Sequence, residues 1–551
     1  MKLLRQILSH ICFVTFAIAF EDCHDCPDFS TTVDLGYARY KGVEIEAGVK
    51  YWLGVRFAAA PLGHLRWRAP RDPLECEALQ DATTFQPVCI GTARFGNAVQ
   101  DEDCLFLNIF APSNATSESR LPVWFYIPGG GYSVNSDANY NATELIKRSG
   151  GNIILIQTSY RVSAFGFLAS EEIRENGDLN VGFLDQRKAL EWVQKYFGGN
   201  PDHVVIHGDS AGAGSVALHM TAYGGRDSGL FHSAIMESVF FPTHRKVADY
   251  EFQYQNFITL SNCSMDTEPL SCLRKTPLSV LQKANSHFFP FPNAISPPFF
   301  PYAPCVDGNI FPDHPAKLYL DGKFVQVPIM IGDDTDEGTS FVDNAASPSE
   351  VATFMKNQFP KLSNSSLEDI NVIYPLLSPM PLHAAYFPSL ARAYGEATFT
   401  CPGILISQAL FNEAPRSNSA PSIYNYRYNV QDNFLLSIGQ GVPHVFELQA
   451  LFNTFDPATS SYATYNSPIV NVIRDFWINF VRWNNPNGLN TTESSIDGST
   501  GPWGVWANRD DYNPKFRRLL IQTNATKMED VPELQLLRCQ FWKDIISETE
   551  I

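Results

Sequence analysis

Apolar and polar positions in the first half of the chain switch between two periods. The runs Leu121–Ile127 (LPVWFYI) and Asn152–Ile156 (NIILI) are short and almost unbrokenly apolar, as strands buried on both faces are. From Asp185 to Phe197 the apolar residues Ala189, Leu190, Val193, Tyr196 and Phe197 fall at helical spacing, and Gly198-Gly199-Asn200-Pro201 ends the pattern. Val204–His207 then reads as a strand running into a Gly-bounded turn and a helix of small residues. Further on, Val327–Ile331 and Ile423–Val430 read as strands, and Asn471–Trp483 as a helix with Val472, Ile473, Phe476, Trp477 and Phe480 on one face. Alternation of this kind predicts an α/β fold, a large, mostly parallel central sheet flanked by helices. Phe288–Pro304, dominated by Phe and Pro, follows neither period and is expected to be an ordered loop that keeps its rings out of water.

Composition narrows the class. The 551 residues are 44% hydrophobic, which excludes intrinsic disorder, and neither repeats nor linkers divide them. A formal net charge of −18 repels phosphate backbones, so nucleic acid is excluded as a partner.

Lys2 and Arg5, an apolar stretch from Ile7 to Ile18 and Ala17-Ile18-Ala19 have the layout of a signal peptide, residues 1–19. The stretch is shorter than the roughly 20 residues of a membrane span. Of 11 cysteines, Cys12 lies in that segment, leaving an even ten for disulfides in an oxidising compartment. Six sequons, at Asn114, Asn141, Asn262, Asn364, Asn490 and Asn524, predict a glycosylated surface. The C-terminal residues Ser547–Ile551 hold neither a retention tetrapeptide nor an anchor tail. A secreted, extracellular protein without a stable membrane anchor is expected.

The most informative segment is Val204–Gly212 (VVIHGDSAG), which carries G-x-S-x-G at Gly208, Ser210 and Gly212 between a strand and a helix. A strand that reverses sharply into a helix strains its central residue and exposes the Oγ, while glycines on either side avoid collisions. The helix then aims its first amides at developing negative charge. Upstream, Trp124–Tyr132 (WFYIPGGGY) places three glycines after a buried strand, so the amides of Gly130, Gly131 and Ala211 are the expected oxyanion hole.

With such an elbow the acid and then the histidine follow the serine in chain order. Val327–Ile331 leads into Gly332–Gly338 (GDDTDEG), where Asp333, Asp334, Asp336 and Glu337 are all candidates; the three not chosen are expected to form a solvated acidic turn. Beyond them only His383 and His444 remain, and His444, in a turn entering an apolar helix, is preferred.

Several long motifs in order then identify a family. Phe57–Arg66 (FAAAPLGHLR), Glu102–Asn108 (EDCLFLN), Tyr160-Arg161, Asn180–Gln186 (NVGFLDQ) and Phe197–Pro201 leading into the elbow resemble type-B carboxylesterases, the α/β-hydrolase group of cholinesterases, fungal lipases and sterol esterases. The resemblance runs from about residue 30 to 540, which favours one catalytic domain over residues 20–551.

It implies Glu337 as the acid, His444 as the base and Ser238 as their support, although Val239 replaces the customary glycine. It also implies disulfides Cys89–Cys104 and Cys263–Cys272; Cys23, Cys26, Cys76, Cys305, Cys401 and Cys539 receive no pairing. Asp209, beside the nucleophile, stands where many members have Glu, and Pro128 precedes the glycines. The Cys89–Cys104 loop encloses only 14 residues and no Trp, where lipases and cholinesterases carry a longer lid or a choline-binding Trp. An open-mouthed serine esterase acting through an acyl-enzyme on a small-molecule ester, with no cofactor or metal, is the expectation. A lipase or sterol esterase is the alternative, and a non-catalytic cholinesterase-like binding module a more remote one. Phe288, Phe289, Phe291, Phe299 and Phe300 either line an acyl pocket or pack structurally. The natural ester and the oligomeric state are not legible.

Overall fold

The structure is a computed structural model that describes residues 31–551 apart from 46–47, 94–98, 117, 136–138, 197–198, 415–419, 490–501, 509 and 512–513. The signal-peptide segment, Cys23, Cys26 and the Asn490 sequon lie outside the described residues. An eleven-stranded sheet organises the rest: β1 (Val43–Ile45), β2 (Val49–Arg56), β3 (Phe106–Pro112), β4 (Leu121–Ile127), β5 (Ile154–Thr158), β6 (Gly199–Asp209), β7 (Ser233–Glu237), β8 (Ile329–Asp334), β9 (Ile423–Tyr428), β10 (Arg517–Ile521) and β11 (Lys527–Asp530). Their order is β11-β10-β9-β8-β7-β6-β4-β5-β3-β2-β1. The strands from β5 to β10 run parallel, while β1, β2 and β3 on one side and β11 on the other are antiparallel.

The apolar strands serve two cores at once, because successive side chains point to opposite faces. Val123, Phe125, Ile127, Ile206, Met236 and Ile331 face one core, under the helices Ala211–Gly225 and Cys401–Glu413. Trp124, Tyr126, Val205, Ile235 and Met330 face the other, under Ser467–Trp483.

Element boundaries differ from the sequence expectation where buried polar groups interrupt the apolar pattern. The helix expected from Asp185 begins at Val181. Asp185 looks like a polar start, yet it is buried inside the helix, where its carboxylate takes the Arg161 guanidinium at 2.7 and 2.8 Å. The strand expected over Val204–His207 extends to Gly199–Asp209. Residues 288–304 form neither helix nor strand, as expected. Their rings are divided, however: Phe291 is buried against the Arg245 guanidinium at 3.5 Å, while Phe288, Phe289 and Phe299 remain exposed.

Cys89–Cys104 and Cys263–Cys272 are bonded. A third disulfide, Cys401–Cys539, ties the Cys401–Glu413 helix to the Glu533–Asp544 helix. The sequon residues Asn114, Asn141, Asn262, Asn364 and Asn524 are all exposed. Among the described residues no helix is long and apolar enough to cross a membrane.

Candidate active site

Ser210 sits between the end of β6 and the first residue of the Ala211–Gly225 helix, with φ 52° and ψ −121°. L-residues rarely adopt such a conformation, and here packing imposes it. The Ser210 N–H donates to the Glu237 carbonyl on β7 at 2.8 Å, and its carbonyl accepts the Phe240 N–H at 3.2 Å. The expected role of the flanking glycines holds. A Cβ on Gly208 would stand 2.3 Å from the Gly212 carbonyl carbon, and one on Gly212 would stand 2.0 Å from the Ile127 carbonyl oxygen. The end of β4 and the elbow are thus in direct contact.

The glycine loop after β4 continues that contact. A Cβ on Gly129 would lie 3.0 Å from Ser210 Cβ. Asp209 fastens the two segments, its Oδ1 accepting the Gly129 N–H at 2.9 Å and Tyr126 Oη at 2.6 Å. Gly131 has φ 59°, and any Cβ there would fall 2.0 Å from the Phe300 ring, so this position admits no side chain. Ala211 opens the helix, where N–H groups lack intrahelical partners.

The acid side begins where β8 ends. Glu337 Oε1 accepts Ser238 Oγ at 2.6 Å and the Asp334 N–H at 2.7 Å, while Oε2 accepts from Nδ1 of His444. Nε2 of His444 has no hydrogen-bond partner. The imidazole is packed against the Phe399 ring at 4.3 Å and the Phe341 ring at 5.0 Å. Phe399 and Phe341 in turn meet Phe240 and Phe300, so an aromatic wall runs from the histidine to the serine and the glycine loop. Of the five phenylalanines singled out in the sequence, Phe299 and Phe300 therefore belong to the site's surroundings, and Phe291 to the core. His383 is stacked on Phe387 at 3.6 Å and takes no part.

The expected solvated acidic turn is absent. Asp333 is 6% exposed and Asp334 1%, and Asp336 is half-buried. The reason is that β8 continues to Asp334 and carries Asp333 and Asp334 below the surface; Thr400 Oγ1 donates to Asp333 at 3.0 Å, and just beyond the strand the Val442 N–H donates to Asp336 at 2.9 Å. Burial pushes Asp333 up to about 7. Asp334 is held well above the usual carboxylate range by burial and by the adjacent Glu447.

Two further buried carboxyls escaped the sequence reading. Glu447 accepts Tyr426 Oη at 2.8 Å, and burial raises it to about 7. Glu237 accepts Trp477 Nε1 and lies 3.2 Å from His207 Nε2; burial raises it to about 8 and lowers His207 to about 3. Glu447 stands three residues after His444, in the same turn into an apolar helix, so a signal was present; Glu237 precedes Ser238 and showed none.

An imidazole oriented by a carboxylate through Nδ1, with Nε2 open, is equipped to accept and return a proton. The comparisons agree with that chemistry. The carboxylesterase family pattern matches residues 30–542. Secreted lipase 1 of Botryotinia fuckeliana is 32% identical over 76% of this chain and 83% of its own length, and Lipase 2 of Geotrichum candidum is 32% identical over 60% of this chain and 67% of its own. The crystal structure of Aspergillus niger EstA superposes with a TM-score of 0.88 at 46% identity, covering 95% of this chain and 99% of that one. The fold is that of the α/β-hydrolases, and the chain belongs to the carboxylesterase family.

Proposed function

We propose that the protein is a secreted serine carboxylesterase in which Ser210, His444 and Glu337 act as nucleophile, base and orienting acid. The observation that carries this reading is the presence, at two ends of one aromatic wall, of an elbow serine in a strained conformation and a histidine whose Nδ1 is held by Glu337 and whose Nε2 is open. His444 takes the Ser210 proton as Oγ attacks the ester carbonyl, and Glu337 fixes the tautomer and stabilises the imidazolium. The amides of Gly130, Gly131 and Ala211 stabilise the oxyanion, each contributing roughly 10²–10³ in kcat. The leaving alcohol receives the proton from His444, and water then releases the acid by the same route. Ser238 and Asp209 act as positioning residues, the first on Glu337 and the second on the glycine loop.

The same proposal takes residues 20–551 as one catalytic domain, residues 1–19 as a signal peptide and the sequons as glycosylated; the names of the secreted fungal relatives and the three disulfides support an extracellular enzyme. Ser210→Ala should lower ester hydrolysis by about 10⁴–10⁶-fold and abolish labelling by an organophosphate; unchanged hydrolysis would sink the assignment. N-terminal sequencing of secreted protein should begin near residue 20, and glycosidase treatment should lower its mass. The names of the fungal relatives keep a lipase reading in view. Faster turnover of emulsified long-chain esters than of soluble short-chain ones would favour it, whereas the short Cys89–Cys104 loop supports the opposite ranking.

A further inference from the structure

A cavity of about 640 Å³ lies beside the acid turn, and neither Ser210 nor His444 lines it. Its size falls within the roughly 300–1,000 Å³ that ligand sites occupy. One wall is the Asp333–Thr339 turn itself; the others come from the Phe387–Gly395 and Glu533–Asp544 helices and from β9 and β10.

Four arginines reach this space, and their partners do not suffice. Arg538 is taken up by Glu396, with contacts of 2.6 and 2.5 Å. Arg427 is taken up by Glu529 and by Thr335 Oγ1. Glu529 also accepts Arg518 Nε at 2.8 Å, so one carboxylate serves two guanidinium groups. Arg518 is only 2% exposed, and its Nη1 has no hydrogen-bond partner. A buried charged donor left unmade is expensive, which makes this nitrogen the strongest unmet demand in the cavity. Arg392, exposed at the rim, has no ion pair among the described residues.

The carboxyls facing the arginines are poor substitutes for the missing anion. Glu337 is committed to Ser238, Asp334 and His444. Burial disfavours the charged forms of Asp333 and Asp336. Leu377, Pro379, Met380, Pro388, Ala391 and Leu534 give the lining an apolar side, and Thr339, Ser378, Thr400 and Gln535 add uncharged polar groups. A charged end beside a hydrocarbon wall selects an amphiphile.

We propose that this cavity is a second ligand site, which binds a monocarboxylate with a hydrocarbon body, its carboxylate on Arg518 Nη1 and Arg392 and its chain or ring along Leu377, Met380 and Leu534. Such acids are what ester hydrolysis releases and are also present in any lipid-containing medium. The cavity shares Glu337 with the candidate active site, so a bound acid adds a negative charge close to the group that orients His444.

Calorimetric titration of the intact protein with octanoate, and with octanamide as the uncharged isostere, tests this. Octanoate should bind, and octanamide should bind at least about tenfold more weakly, the loss expected for a charge-assisted hydrogen bond. Arg392→Gln, at an exposed position, should weaken octanoate by about tenfold with folding intact, and Arg518→Gln should weaken it further. Ser210→Ala should bind octanoate as the parent does, which separates this site from the proposed catalytic role. Absence of binding, equal binding of the amide, or octanoate affinity unchanged in Arg392→Gln would each overturn the proposal.

Discussion

The two sides of the candidate site are built on opposite principles. At the elbow and its glycine loop, close approach decides: a Cβ on Gly208 or Gly212 would fall within about 2 Å of backbone and one on Gly131 within about 2 Å of the Phe300 ring, and Asp209 ties the glycine loop to β6. At the acid turn, side-chain burial decides: Asp333, Asp334, Glu337 and Glu447 all lie below the surface, and burial raises Asp334 and Glu447, with the Glu447 charge raising Asp334 further. Changes at the first side should therefore act on folding, and changes at the second on rate and on pH dependence.

The sharpest contrast is Glu337→Gln against Gly212→Ala. The glutamine variant should fold normally, because its amide can still accept from Ser238 and Asp334, yet lose about 10⁴ in kcat through the wrong histidine tautomer. Gly212→Ala should lose at least about 3 kcal/mol of stability and express poorly, since its methyl must displace the Ile127 carbonyl. Thermal melts beside single-turnover rates separate the two; a well-folded, inactive Gly212→Ala would break the comparison.

Next in size is the pH dependence of stability. Glu237 titrates near 8 in the folded chain and at ordinary carboxylate values when unfolded, so the stability it allows is present in acid and is lost as pH rises toward 8. The buried histidines His207, His219 and His244, held below their ordinary value, oppose this only beneath about pH 6.5, where unfolded histidine takes up protons. Between pH 6.5 and 8 the carboxyls act alone, and stability should fall by about 2 kcal/mol from Glu237. Glu237→Gln should flatten that slope in denaturant titrations at the two pH values. A slope of the same steepness in the variant would place the titration elsewhere.

The smallest expected effect sharpens the acid side alone. Ser238→Ala removes one hydrogen bond from Glu337 and should cost about tenfold in kcat with KM little altered. Ser238→Thr should recover part of the loss if the hydroxyl acts by positioning Glu337.

What could be read from the sequence follows the same division. The elbow, the glycine loop and most strand positions were legible because glycine and continuous apolar runs each have few structural explanations. Asp185, Asp333 and Asp334 were misread because a buried carboxyl looks the same in sequence as a solvated one; only the partners, Arg161, Thr400 and Glu447, distinguish them, and two of the three are distant in sequence. Cys401–Cys539 was missed for a related reason, since pairing across 138 residues depends on how the two helices pack.

The strand order also implies an order of assembly. From β6 to β11, sheet neighbours are successive in the chain, so each strand leaving the ribosome finds its pairing edge already made. The elbow can close once β6 docks on β4, its following helix folds and β7 supplies the Glu237 carbonyl, still before β8 brings Glu337 or the later turn brings His444. On the proposed roles, a nascent or prematurely ended chain carries a finished nucleophile elbow and no base. Hydrolytic capacity then appears only late in synthesis, and stalled fragments cannot attack esters in the cell that makes them.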